Sequence, residues 1–189
     1  MKRLFVVILV VLVSSLCAQD LGLYRVAPTV GIIFPEGDWN TGLQVGVKAD
    51  VGTVMDGKIG LFPVLSYWST KYEYSGMYAD DDFDLKLSNI KIGVDAHYDL
   101  GEYVENLYGG VGLAINMVKS EYPSVKYDDN WNYRVVTESD TDSEFGISFL
   151  AGYKLEAAGK PLFVEGRYDV ISNLNTLGIK VGMFFDMKK

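Results

Sequence analysis

"LQVGVKADVG", residues 43–52, alternates without a miss. Leu43, Val45, Val47, Ala49 and Val51 are apolar, while Gln44, Gly46, Lys48, Asp50 and Gly52 are polar or lack a side chain. A period of two predicts a β-strand, because successive side chains leave a strand on opposite faces. Everything else depends on which face is the inside. If the apolar face is buried, this is a strand of a soluble sheet. If it meets lipid, Lys48 and Asp50 point inward.

The same period recurs about eight times after residue 20, and no segment there has helical periodicity. Besides 43–52, the segments are 24–34, 58–68, 89–99, 108–117, 145–154, 162–170 and 177–186. The connections after the second, fourth and sixth are short: "MDGK", "LGEYVEN" and "EAAGK". Those after the third and fifth, residues 69–86 and 120–143, are the longest. Long connections therefore gather at one end of an up-and-down antiparallel arrangement. Outer-membrane barrels have this asymmetry, with short periplasmic turns and longer outer loops. Pro28 and Pro63 fall inside predicted strands, where a closed barrel has no free edge for a missing N–H, so a bulge or distortion is expected at each. Outward Ile59, Leu61, Leu65 and Tyr67 require a three-residue loop, Met55-Asp56-Gly57, with Gly57 left-handed.

Three features place the polar face inside. It collects glycines, including Gly31, Gly46, Gly93, Gly112, Gly152 and Gly182. A narrow lumen uses them to fit long charged side chains beside very small ones. It carries both charge signs at mid-strand depth, giving a predicted lumen network of Lys48, Asp50, Lys91, Asp95, Glu165, Arg167, Asp169 and Lys180. Counting back from the turn "SNLN" sets Arg167 opposite Lys180, with Glu165 and Asp169 diagonal to it. Finally, aromatics gather at strand ends, as rings do at bilayer interfaces. Tyr24, Tyr98, Tyr103, Tyr153 and Phe185 lie at the short-turn end, and Phe34, Tyr67 and Trp68 at the long-loop end. The predicted fold is all-β: a closed, antiparallel, eight-stranded transmembrane barrel.

The chain opens "MKRLFVVILVVLVSSLCAQD": two cations, a ten-residue apolar run and small residues. This reads as a secretory signal peptide, residues 1–18, before a barrel domain at 19–189, and the run is too short to span a membrane. Cys17 is the single cysteine, so disulfides and thiolate metal sites are excluded. Removing Lys2 and Arg3 takes the net charge from −8 to −10, which disfavours nucleic acid. Hydrophobic residues make up 49% of the chain, with 13 Tyr and 9 Phe. Such a composition suits an exported barrel with an apolar exterior.

The C-terminal "KVGMFFDM", residues 180–187, resembles the assembly signal of bacterial outer-membrane barrels. Lys180, Gly182, Phe185 and Met187 fill its pattern, although Lys188 and Lys189 follow where relatives commonly end on an aromatic. With eight segments, the chain is similar to the small OmpA/OmpX-like barrels, the porin-family or outer-membrane β-barrel domain proteins. That resemblance implies bacterial outer-membrane localisation, contact with lipid and lipopolysaccharide, and recognition by the barrel assembly machinery through the last strand. Family roles range from anchoring and adhesion to narrow channels and, rarely, lipid enzymology, and fold alone does not choose among them.

No residue set predicts catalysis, a cofactor or a bound metal. His97, the one histidine, lies near the short-turn end between Asp95 and Asp99, so it reads as a lumen residue and not a catalytic base. The acidic stretches "ADDDFD", 79–84, and "ESDTDSE", 138–144, lack EF-hand spacing and read as solvated outer segments. In the second, Glu138, Asp140, Asp142 and Glu144 share one phase, as in a strand continued above the membrane. Tyr72, Tyr74, Tyr78, Tyr122, Tyr127, Trp131 and Tyr133 interleave these charges, a composition suited to extracellular protein or glycan contact. The reading is an outer-membrane barrel with a filled lumen and a structural or adhesion-like role. Its alternatives are a narrow porin and a soluble lipocalin-like barrel, in which Val45, Val47, Ile92, Val94 and Val181 would line a cavity.

Overall fold

A computed structural model of the protein describes residues 22–74, 83–127, 133–157, 159–172 and 174–187. The expected signal peptide lies outside them. The segments are β1 (Arg25–Pro35), β2 (Gly42–Asp50), β3 (Thr53–Val54), β4 (Ile59–Tyr74), β5 (Phe83–Asp99), β6 (Leu107–Tyr127), β7 (Tyr133–Ala157), β8 (Lys160–Ile171), β9 (Thr176–Met183) and β10 (Phe185–Asp186). All neighbouring pairs are antiparallel, and β1 closes the ring against β9 and β10. β2 with β3, and β9 with β10, each make one interrupted stave, so the barrel has eight staves.

Both interruptions sit beside a proline. The β1–β9 ladder ends at Thr29↔Gly182 and resumes in β10 at Val26↔Phe185, leaving Pro28 at the gap. On the other side of the strand the Phe184 amide donates to the Pro161 carbonyl at 2.8 Å, in register with the β8–β9 ladder. The β2–β4 ladder ends at Lys48↔Val64 and resumes at Thr53↔Gly60, so one extra residue bulges before Thr53 opposite Pro63. Gly52, at φ 110°, makes that bend. The following turn has four residues, 55–58, and not the expected three: Val54 pairs with Ile59, and Met55, Asp56 and Gly57 all have positive φ. The bulge offsets the longer turn, so Leu65 and Tyr67 still face outward, 52% and 42% exposed.

The apolar residues lie outside. Val45, Val47, Ile92, Val94 and Val181 are 40–54% exposed, which contradicts the soluble alternative that needs them around a cavity. Gln44, Lys48, Lys91, Asp95, Glu165 and Lys180 are instead 0–6% exposed. A barrel with this polarity is the reverse of a water-soluble one, where apolar burial drives folding. Tyr24, Tyr98, Tyr103, Tyr153 and Phe185 ring the short-turn end with 40% exposure or more. At the other end Phe34 and Tyr67 face outward, but Trp68 does not. It is 1% exposed and packs inward with Ile33 and Leu87, joined by Trp39, Val118 and Leu174. An apolar cluster thus lies inward at the long-loop end.

The two longest connections are largely strand. β4 and β5 pair up to Tyr74↔Phe83, and β6 and β7 up to Tyr127↔Tyr133. A strand crosses a bilayer in about 9–11 residues, whereas β6 has 21 and β7 has 25. Their hairpin therefore stands well clear of the apolar belt. Most of the acidic stretch 79–84, together with Tyr78 and Trp131, lies outside the described residues.

Candidate functional site

The lumen's middle is an ionic cluster. Strand parity delivers its members: Lys48 from β2, Lys91 and Asp95 from β5, Glu165, Arg167 and Asp169 from β8, and Lys180 from β9 all point inward. Glu165 is the hub. It accepts from Lys48 at 2.5 Å, Lys180 at 2.9 Å, Arg167 at 3.5 Å and the Tyr108 hydroxyl at 3.1 Å. Arg167 also holds Asp95 at 3.1 Å and Asp169 at 3.1 Å. Lys91 reaches Asp169 at 2.7 Å and the Ser148 hydroxyl at 2.8 Å. Lys48 touches Asp95 at 3.4 Å. Charges this far from water persist only when paired and hydrogen-bonded.

Glycines make the space. A Cβ on Gly152 would stand 2.3 Å from the Tyr108 ring and hydroxyl. One on Gly112 would stand 2.3 Å from Asp95 Oδ1, which Arg167 fixes. Both positions are closed to any larger residue while the cluster keeps its form.

Two sequence expectations change. Asp50 faces inward but stands apart from the cluster, held by Arg25 at 2.5 Å at the short-turn end. The register of the last two staves is also shifted: Lys180 lies opposite Glu165, and Arg167 opposite Gly178. The reason is the turn. Val170 and Ile171 continue along β7, while the β8–β9 ladder already stops at Asp169↔Thr176. The connection is therefore longer than "SNLN". Tyr108 was legible only as an inward residue, and nothing in the sequence links it to Glu165.

His97 lies with its ring stacked on Tyr108, centroids 4.7 Å apart, and beside Phe62 at 4.2 Å. Its Nε2 is 3.2 Å from the Lys48 ammonium. Asp95, His97 and Glu165 bring their ligand atoms within 4.8 Å of one another, a spacing that suits a metal ion. Lys48 already fills the space among them with its own positive charge. The donor set and the occupant do not fit a resident metal.

Around the cluster, the two rims differ. At the short-turn rim Lys154 pairs with Asp99, and that bond, with the Gly101 amide, holds the Asp99 carboxyl below its usual range. In the projecting hairpin Lys119 pairs with Glu121 at 2.6 Å and lowers its pKa, and Lys126 pairs with Glu138 at 3.0 Å. β7 pairs with β8 only from Gly146 downward. Along Tyr133–Ser143 its one ladder partner among the described residues is β6. The C-terminal pattern is split by facing: Lys180 and Gly182 point inward, and Phe185 and Met187 are 41% and 45% exposed.

No protein-family model matches the chain, and no curated protein sequence matches it. Solved structures do. Neisserial surface protein A is 14% identical with a TM-score of 0.51, covering 89% of this chain and 100% of its own. The attachment invasion locus protein Ail of Yersinia pestis is 8% identical with a TM-score of 0.45, covering 89% and 100%. The N-terminal β-barrel domain of Pseudomonas aeruginosa OprF is 14% identical with a TM-score of 0.43, covering 87% and 99%. At these identities the likeness to the Neisserial protein is one of fold. The chain has the closed, eight-stranded, antiparallel architecture of the small outer-membrane barrels.

Proposed function

We propose that this chain is an integral outer-membrane barrel, closed to solutes, that presents its β6–β7 hairpin for contact outside the cell. The carrying observation is the polarity: outward valines and isoleucines about half exposed around a lumen of buried, paired charge. In water that arrangement exposes an apolar belt far beyond the few hundred Å² tolerated by soluble monomers. In a bilayer it is the ordinary arrangement. The inward apolar cluster around Trp68 and the ionic cluster beneath it support a closed lumen, and with it a structural or surface role over a channel. Export through residues 1–18, assembly through the last strand and contact with lipopolysaccharide belong to the same reading.

The hairpin supports a surface-interaction role. Its β7 edge along Tyr133–Ser143 offers backbone donors and acceptors on one side, as strand-addition partners require. Glu138, Asp140 and Asp142 on one face keep that edge from pairing indiscriminately. Fractionation tests location: the protein should require detergent and follow the outer membrane, and recovery in the soluble periplasm would contradict the reading. Replacing Tyr122–Glu138 by Asn-Gly joins the paired residues Glu121 and Ser139 with a tight turn. The barrel should still fold, and binding of the bacteria to host cells or matrix should fall. Unchanged binding would remove the hairpin from the account.

A further inference from the structure

The short-turn end of the lumen is not filled. A cavity of about 220 Å³ opens there, lined among others by Lys48, His97, Phe62, Phe163, Phe184 and Lys58. We propose that it is a binding site for a small organic anion, a carboxylate carried on a ring or short apolar body, entering from the short-turn side.

Charge at the cavity wall is the first support. Of the four buried cations of the ionic cluster, Lys48, Lys91, Arg167 and Lys180, only Lys48 borders the cavity. The cluster's carboxylates, Asp95, Glu165 and Asp169, are absent from the lining, so a ligand there meets the cationic side of the cluster.

An unused donor is the second. An ammonium donates hydrogen bonds and cannot accept them. His97 Nε2, 3.2 Å from Lys48 Nζ, must therefore be the accepting nitrogen of a neutral ring, which puts the proton on Nδ1. That N–H has no acceptor among the described residues, and His97 forms part of the cavity wall. Lys48 thus sets the histidine tautomer and leaves a donor for a ligand.

The rim and walls complete the fit. The two carboxylates in the lining, Asp50 and Asp99, are matched by Arg25 and Lys154, whereas Lys58 has no carboxylate partner among the described residues. The net charge of the entrance is positive, although the whole chain is acidic. Phe62, Phe163, Phe184, Pro161 and Leu162 supply an apolar wall. The volume is below the roughly 300–1,000 Å³ of drug-sized pockets, so the ligand is small. This site is independent of whatever the outer hairpin contacts.

His97 is the chain's single histidine, so ring-¹⁵N-histidine labelling of untagged, refolded protein reports one side chain. At neutral pH its spectrum should show one protonated and one bare ring nitrogen. Sodium benzoate, in a neutral non-chloride buffer, should then move the Nδ1–H signal along a saturating curve. Benzamide, which lacks the charge, and acetate, which lacks the ring, should bind at least about tenfold more weakly, since charge-assisted hydrogen bonds are roughly twice as strong as neutral ones. A doubly protonated ring, a shift that never saturates, a match by benzamide or acetate, or the same shift from chloride alone would each overturn the proposal.

Discussion

Replacing Glu165 with glutamine removes one charge from the lumen and almost no volume. The wild-type carboxylate serves Lys48, Lys180, Arg167 and the Tyr108 hydroxyl. Without it, Lys48 and Arg167 keep Asp95 at 3.4 and 3.1 Å. Lys180 keeps nothing: Glu165 is its one carboxylate partner among the described residues, and its side chain is 7% exposed. Stranding a buried charge costs about 3–5 kcal/mol. At about 1.4 kcal/mol per factor of ten, the folded-to-unfolded equilibrium constant should fall by two to nearly four orders of magnitude. Urea unfolding in lipid vesicles, followed by the mobility shift of folded barrels on gels, reads this directly. Glu156→Gln, on an exposed residue, should stay within about 0.5 kcal/mol of wild type. Adding Lys180→Met to Glu165→Gln removes the stranded cation and should recover at least half of the loss, the non-additivity expected of residues in one network. A loss under about 1 kcal/mol for Glu165→Gln, or no recovery in the double variant, would refute the hub.

The other predictions concern space, a rim charge and conduction. Gly152→Val should push the Tyr108 hydroxyl away from Glu165 and cost about 1–3 kcal/mol by overpacking, read by the same unfolding assay; a neutral outcome would show that Tyr108 has room to move. The folded-state pKa of Asp99 is depressed by Lys154, so its contribution is present above the unfolded carboxylate value of about 3.9 and disappears as pH falls through the folded one. Lys154→Gln should raise the Asp99 pKa toward that value in a carboxyl-carbon NMR titration, with a stability change well under about 1 kcal/mol because both side chains are exposed to screening solvent. Planar-bilayer recording of the wild type should show at most small, intermittent currents, and Glu165→Ala should enlarge them. Large, steady, salt-proportional wild-type currents would favour a porin.

Facing was legible in the sequence because it needs only parity. Lys48, Asp95, Glu165 and Lys180 sit in the polar phase of their strands, and that phase survives even the bulge before Thr53, since the longer turn at 55–58 offsets it. Partner choice was not legible. Lys48 and Glu165 are 117 residues apart and meet across the lumen, a distance on which no local pattern bears. The Glu165–Lys180 register was missed because turn length decides it, and "SNLN" carries a turn signal without its length. Trp68 was misplaced for a related reason. An aromatic near a strand end suits an interfacial belt, yet it occupies an inward position, and burial with Ile33 and Leu87 follows from that phase. The outer hairpin was only half read. Its alternating acids at 138–144 had strand phase, but polar strands outside a core lack the apolar alternation that marks them.

On the proposed outer-membrane reading, the face bearing Val45, Val47 and Val181 meets lipid. Nitroxide labels on single cysteines at Val47 and Val181 test it in bilayers, in protein refolded without residues 1–18 so that Cys17 takes no label. A third label at Met55, on the exposed short turn, serves as the water reference. Lipid-soluble oxygen should relax the Val47 and Val181 labels strongly and a water-soluble nickel chelate hardly at all, with the order reversed at Met55. Labels at Val47 and Val181 that the chelate reaches as readily as Met55, or that neither reagent reaches, would contradict it.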